Sequence, residues 1–412
     1  MPVWREEALV EPEHFEAFSR EALAAFPDLE LGHDVAWQRV FSSQQRKLMV
    51  MTAREQGRLV GLAPFEVHPT SLQFGLGEVT VMRKRVQRFA LERAPRVAGD
   101  ADLTSGFFAS LAERVPENGA VFLRGVAEGS ETHNQLTEYG SALRKAFHVV
   151  PHGPSYLRCR ILWDGSFERY LATLGKKTQK NLRQTLKKVD STYGDRVAFA
   201  RFSDEASIDD FLRAAVEVSA KTYQANLLGL GLARSKSQDE IRAVAARGSF
   251  LGFVLRIDGQ PVAYDYGYVH EGRFYWIEGG YDPAWSKAQI GSYNLLRILL
   301  DLEAQQTPVT SLDYLYGENS FKERTSNMKT RERHYYLIKR GLRGTILASA
   351  MQSTDSLSRN LGALLERFEL KEFIRRKIRQ VSAWQLGDYK WIPFKLVPVT
   401  AVAFATAAIA LD

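Results

Sequence analysis

The chain has 412 residues, 45% apolar and 25% charged, with a formal net charge of +7, which is ordinary globular material for two or three domains at roughly 150 residues each. Its one cysteine, Cys159, excludes an intrachain disulfide and a multi-cysteine metal site. The eight histidines show no HExxH or similar ligand spacing, so no metal is expected.

The first fifteen residues, MPVWREEALVEPEHF, lack the apolar core of a signal peptide, which places the expected body of the protein in the cytoplasm. Residues 47–68, KLMVMTAREQGRLVGLAPFEVH, and 249–270, SFLGFVLRIDGQPVAYDYGYVH, rhyme across the chain. Each gives an apolar run, a turn (Gln56-Gly57 or Asp258-Gly259) and a second apolar run, which predicts a β-hairpin preceded by a long helical stretch. Between them, HVVPHGPSY at 148–156 carries two prolines and a glycine and is expected to break any element. Cys159 falls in SYLRCRILW, an alternating strand-like run, and reads as a core residue. After the second hairpin come a strand at 273–283, a helix at 290–306 with apolar residues every three or four positions, a strand at 311–318, a short helix over 319–327 and a closing strand at 332–341. Three domains are therefore expected: 1–150, 151–343, and a basic helical tail over 344–412.

The basic excess is local. Residues 166–190 hold seven Lys or Arg against two acids, and 371–379 (KEFIRRKIR) hold five bases and one acid. Two anionic contact points on a near-neutral body follow, rather than a nucleic-acid-binding surface, and there is no helix-turn-helix, zinc or aromatic-stacking motif. Residues 396–411, LVPVTAVAFATAAIAL, carry no charge but fall short of the roughly 20 residues that a membrane-crossing helix needs. With basic residues before them, they predict either an interfacial anchor on the inner face of a membrane or a helix packed on the body.

The ordered set GKKTQKNLRQTLKKVD, DGQPVAYDYGYV, YDPAW, IGSYNLL and LDYLYGENSFKER resembles the GNAT-superfamily acyltransferases of the CelD-like type (cellulose and exopolysaccharide biosynthesis), themselves related to Fem-type peptidoglycan transferases. The match covers roughly 155–340, and the first 150 residues resemble the degraded N-terminal repeat of tandem members. The resemblance implies an α/β (α+β) fold of two GNAT-like domains, each a mixed, mostly antiparallel sheet flanked by helices. It also implies acyl-CoA, acetyl or longer, as co-substrate, with the acyl group passed to the amine of a small-molecule or lipid acceptor.

In that family the sheet splays beside its fourth strand, so that pantetheine pairs with strand backbone and the diphosphate rests on the N–H groups opening the next helix. Here that place is Gln289-Ile290-Gly291-Ser292-Tyr293, a shortened form of the family pattern. The acceptor amine must lose a proton before attack, so carboxylates are sought beside it. Glu278, in FYWIEGGYD, lies where GNAT enzymes place such a base, and Asp265, in AYDYGY, is an acid among aromatic neighbours. Strand alternation groups Ala263, Asp265 and Gly267 on one face and Trp276, Glu278 and Gly280 on another; if the faces coincide, two carboxyls share a cleft and one pKa is pushed up. Tyr316 is the candidate proton donor to the leaving thiolate. Asp313, Gly317 and Lys322 match the family's strand–helix junction, with Lys322 reaching a phosphate or an acceptor carboxylate, or else pairing with Asp313.

On a helical wheel Leu182, Leu186 and Val189 cluster, while Lys176, Lys180, Arg183 and Lys187 form a stripe roughly 100–160° away. That stripe is either a solvated face or a contact for the adenosine end of coenzyme A, for an anionic acceptor or membrane leaflet, or for tRNA. Two other functions stay open: a Fem-like aminoacyl-tRNA-dependent transferase, and a non-catalytic scaffold, expected if Glu278 and Asp265 do not share a cleft.

Overall fold

The computed structural model describes residues 3–43, 45–76, 79–99, 101–222, 232, 235–317 and 319–367. The basic run at 371–379 and the apolar run at 396–411 lie outside the described residues, and with them the anchor expectation. Among the described residues no helix is long and apolar enough to cross a membrane.

In chain order the elements are β1 (Trp4–Glu6), α1 (Pro12–Ala25), α2 (Val35–Phe41), β2 (Lys47–Glu55), β3 (Arg58–Leu76), β4 (Val79–Leu91), β5 (Arg96–Val97), α3 (Ala101–Arg114), β6 (Gly119–Ala127), α4 (Glu131–Thr137), α5 (Ala142–Ala146) and β7 (Phe147–Leu162). There follow α6 (Phe167–Ala172), α7 (Lys176–Tyr193), β8 (Val197–Phe202), α8 (Ile208–Lys221), α9 (Ser235–Ala246), β9 (Phe250–Ile257), β10 (Gln260–His270), β11 (Arg273–Tyr281), α10 (Ile290–Ala304), β12 (Ser311–Asp313), α11 (Ser320–Thr325), β13 (Met328–Lys339) and α12 (Leu342–Arg367). Both predicted hairpins form, β2–β3 and β9–β10. Their turns, Gln56-Gly57 and Asp258-Gly259, have positive φ at both positions, from 50° to 81°, the backbone that matches strand twist in a two-residue hairpin.

The chain divides into two compact units: Met1–Ala8 with Ser43–Gly153 and His334–Asp412, and Leu9–Ser42 with Pro154–Arg333. One boundary between the units falls at Gly153/Pro154, while residues 9–42 group with the second unit and 334–367 with the first. Nor do Pro151 and Pro154 break the chain. β7 runs through both, and Gly153, with φ 67°, takes up the irregularity.

In the first unit β2, β3 and β4 are antiparallel neighbours, and β4 pairs in parallel with β6 over Gln87–Leu91 and Gly119–Leu123. The parallel step needs a crossover, which α3 supplies. α3 buries Phe107, Phe108 and Leu111 with Trp4, Phe65, Phe89 and Leu123. The opposite face carries Leu72, Val86, Phe122, Tyr336 and Ile338, partly covered by α12 at Ala348.

The second unit repeats the plan. Its neighbours run β7-β12-β11-β10-β9-β8, and β11 pairs in parallel with β12 after the α10 crossover. One face packs on α8, with Phe211, Ala215 and Val218 against Tyr264, Tyr266 and Tyr268. The other packs Leu295, Leu296 and Leu299 of α10 and Leu171 of α6 against Phe253, Phe274 and Cys159. Cys159 is buried there, which pushes its thiol pKa up.

Candidate active site

β11 and β12 pair over only three residues, Arg273–Tyr275 with Ser311–Asp313. β11 then continues to Tyr281 with no partner on that side among the described residues, while β12 ends and the chain turns away at Leu315, which holds a left-handed φ of 55°. Asp313 accepts the Leu315 N–H at 2.9 Å and shapes that turn. A left-handed residue with a branched side chain is strained by about 1–3 kcal/mol, a cost that tends to mark functional segments. The result is a wedge between two strands, opening onto a cavity of about 800 Å³. Its walls are Trp276–Tyr281, the Tyr314–Tyr316 loop, the first turn of α10, one side of α7 and α11.

A bulge decides which side chains enter it. Tyr266 opposes Glu278 and Gly267 opposes Trp276, so Ile277 is unmatched, and a single extra residue flips the alternation of everything beyond it. Trp276 therefore joins Asp265 on the α10 face, and Glu278 joins Tyr264 and Tyr266 on the α8 face. This corrects the alternation expected for β11, which put Trp276 and Glu278 together. Both carboxyls still line the cavity, reached from opposite faces of the sheet through the gap between β11 and β12.

Asp265 accepts from Trp276 Nε1 at 2.8 Å and from Asn294 Nδ2 at 2.6 Å. Burial outweighs both bonds and pushes its pKa up to about 7. The room for it comes from Gly279, where an added Cβ would stand 1.7 Å from Asp265 Oδ1. Glu278 accepts the Tyr264 hydroxyl proton. Burial raises its pKa as well, against that hydrogen bond. Gly280 makes room for Tyr264, whose ring carbon would lie 3.0 Å from a Cβ there.

At the helix end, Gln289 is the N-cap of α10 with φ 55° and ψ 38°, and its side chain gives no cap bond because its Oε1 accepts from Thr185 of α7 instead. The N–H groups of Ile290, Gly291 and Ser292 begin the helix and have no intrahelical acceptor. No acid stands in that first turn. Gln289, Gly291 and Ser292 line the cavity. Ile290 and Tyr293 are fully buried and offer backbone alone; the Tyr293 hydroxyl is spent on Asp190 at 2.6 Å. The ring of Tyr281 lies against Gly291, 3.1 Å from where a Cβ would be.

Tyr316 lines the wall beside Tyr156, the two rings edge to face at 5.9 Å. Lys322 also lines it, and its Nζ donates to the carbonyls of Tyr314 (2.9 Å) and Tyr316 (3.0 Å), tying the loop to α11. Burial lowers its pKa. Asp313, fully buried, is clamped bidentately by Arg158. Glu30 and Glu332 bind the same guanidinium. Asp313 is not among the residues lining the cavity, and its ion-pair partners are Arg158 and, at 3.4 Å, Arg160, not Lys322.

Along α7 the cavity takes Thr178, Asn181, Leu182 and Thr185. Lys176, Lys180 and Arg183 lie on the other side of the helix, exposed, with Arg183 paired to Glu168. The structure does not bring that stripe to the cavity. Asn294, buried on α10 and bonded to Asp265, and Arg324 of α11, which lines the cavity, are at the site and were not among the residues named from the sequence.

Residues 176–323 match the family model of the GNAT acetyltransferase domain. Among solved structures the fold is shared with FemX, at 11% identity and a TM-score of 0.56, covering 81% of this chain and 96% of that one. L-PGS from Bacillus licheniformis aligns at 16% identity and 0.46, over 83% and 96% of the two chains. A tandem GNAT protein from the clavulanic acid biosynthesis pathway aligns at 12% and 0.45, over 81% and 98%. No curated protein matches the sequence.

Proposed function

We propose, from the premise that residues 176–323 are a GNAT acetyltransferase domain and the protein therefore a transferase, that it is an acyl-CoA-dependent N-acyltransferase. The observation that carries this reading is the wedge itself: a strand edge left unpaired from Trp276 to Tyr281, ending at the acid-free N-terminus of α10, with two carboxyls of raised pKa between. An extended thioester arm pairs with a free strand edge as an added strand does. The adjacent amides of Ile290, Gly291 and Ser292 then suit a diphosphate.

The co-substrate supplies the activated acyl group. The chain's own residues do the rest. Glu278, on the α8 face, takes the proton of an amine that approaches the gap from that side, directly or through one water, and its raised pKa matches the task. Asp265, on the α10 face, is a second proton acceptor held in place by Trp276 and Asn294. Tyr316 returns a proton to the departing sulfur. Lys322 positions Tyr316 by holding the loop carbonyls. Trp276, Leu182 and Leu295 exclude water from the wedge.

For the acceptor, we favour an amine of an envelope or lipid-linked molecule, an amino sugar or a long-chain amino lipid such as a sphingoid base. The CelD-like motifs support it, and so does the uncharged run at 396–411 if it is an interfacial anchor on the inner membrane face rather than a helix packed on the body. Calorimetry with acetyl-CoA and palmitoyl-CoA tests the donor: saturable binding of at least one supports the reading, and binding of neither overturns it. A second reading, transfer from an aminoacyl-tRNA, is favoured by the exposed Lys176, Lys180 and Lys187 stripe. Salt-sensitive tRNA binding without coenzyme A binding would select it.

A further inference from the structure

On the α8 face of the second unit, the hydrogen bonds behind Glu278 form a series. Its Oε1 accepts from the Tyr264 hydroxyl. Tyr264 is hydrogen-bonded in turn by Ser219 of α8, and the Ser219 oxygen accepts the Leu232 N–H at 3.3 Å. An ionised carboxylate only accepts and a backbone N–H only donates, so the protons all point one way, from Leu232 through Ser219 and Tyr264 to Glu278. Donors aligned in this way polarise one another and strengthen the last bond. The series ends on a backbone amide, which does not titrate, so it holds the carboxylate and does not carry a proton away.

Packing along the strand does little to fix Glu278. It is followed by Gly279 and Gly280, which have no side chains to set against it, and glutamate is among the side chains with the most rotamer freedom to lose. Tyr264, by contrast, is held. It is 1% exposed, packs with Phe211, Ala215 and Val218, and lies under Gly280, where an added Cβ would stand 3.0 Å from its ring and 2.9 Å from Thr222. The other titratable groups on this face are Tyr266 and Tyr268, whose hydroxyls burial keeps protonated, and Glu240 of α9. Lys221, the cation closing α8, pairs with Glu217 at 3.0 Å and Asp282 at 3.8 Å. Asp265 lies on the opposite face of the sheet. Burial raises the pKa of Glu278, and the bond from Tyr264 is what opposes it.

We propose that Tyr264 is the positioning residue of Glu278, with Ser219 holding Tyr264 in turn: together they fix Oε1 and so turn Oε2 to the gap as the oxygen that takes the proton of the incoming amine. This rests on Glu278 as the base. Its test reads the carboxyl itself and needs neither acyl donor nor acceptor, so it stays distinct from the calorimetry that decides the transferase reading.

The experiment is a pH titration, followed by NMR, of the full chain labelled with ¹³C at the glutamate carboxyls, the Glu278 resonance being assigned by its loss in Glu278→Gln. Tyr264 donates to the ionised carboxylate, so removing that donor favours the protonated form. In Tyr264→Phe, which keeps the ring and loses the hydroxyl, the Glu278 midpoint should therefore move at least about one pH unit higher, the tenfold change that loss of a charge-assisted bond of about 1.4 kcal/mol produces. Thermal unfolding checks that the variant is folded. Should it not fold, Ser219→Ala decides, and there the midpoint should move in the same direction by a smaller amount. A midpoint unmoved or lowered in the folded variant would overturn the proposal.

Discussion

Asp265 is the residue at which stability and activity pull apart. Its pKa moves from 3.8 to about 7 because burial disfavours the charged form. A carboxyl whose folded pKa is raised binds its proton more tightly when folded, so between about pH 4 and 7 its contribution to stability falls as pH rises. Three units at 1.36 kcal/mol each set a ceiling of about 4 kcal/mol on that cost. Asp265→Asn should therefore raise the melting temperature at pH 8 while lowering turnover, a trade often found at active sites; a variant no more stable than wild type at pH 8 would show the burial cost to be absent. If the ionised form is required, kcat/KM of the wild type rises with pH through about 7, and that limb flattens in Asp265→Asn. Glu278→Gln belongs to the same scale: turnover should drop by about 10²–10⁴-fold with donor affinity unchanged, and full activity would remove Glu278 from the mechanism.

At the scale of elements, two strands and one helix make the site. β11 carries the bulge at Ile277 and the Gly279-Gly280 pair that gives Asp265 and Tyr264 their room. Gly279→Ala would place a methyl on the Asp265 carboxylate, so it should cost activity as severely as Asp265→Asn while the donor still binds; kinetics alongside calorimetry reads both. α7 has two faces with different work. Its cavity face is polar but uncharged, so Lys180→Glu, on the exposed side, should leave affinity for coenzyme A within a few-fold of wild type. A loss of tenfold or more would mean that the stripe contributes to the donor site. The ion cluster of Arg158, Asp313, Glu30 and Glu332 fixes where β12 ends. Removing one partner of such a buried cluster strands the others, and Arg158→Ala should cost about 3–5 kcal/mol by denaturant unfolding.

The whole molecule holds one architectural plan twice, and among the described residues the parallel pairing beside the crossover helix is longer in the first copy than in the second. In the first unit the parallel β4–β6 pairing runs five residues, and beyond it Glu92 pairs with Arg124 and Arg93 donates to the Gly125 carbonyl. Its crossover helix α3 begins with Asp102, an acid where a diphosphate would sit. In the second unit the pairing stops after three residues and the helix opens without an acid. Titration with the acyl donor should accordingly give one site per chain; a stoichiometry of two would show that the first unit also has a seat.

Much of this was readable from sequence. Local patterns specified the two hairpins, because Gln-Gly and Asp-Gly turns between apolar runs have few other conformations to take, and the helix beginning at Ile290, because its apolar period matches 3.6 residues. The candidates Glu278, Asp265, Gly291, Ser292, Tyr316 and Lys322, named through the family resemblance, line one cavity. Tertiary structure decided what no local pattern carries. The face occupied by Glu278 depends on one unmatched residue in a strand pairing, and the partner of Asp313 is an arginine 155 positions away. The role of the lysine stripe depends on which side of α7 the sheet covers. Composition and periodicity act within a few residues and so determine elements; burial, register and charge pairing act between distant ones, and only the folded chain brings those together.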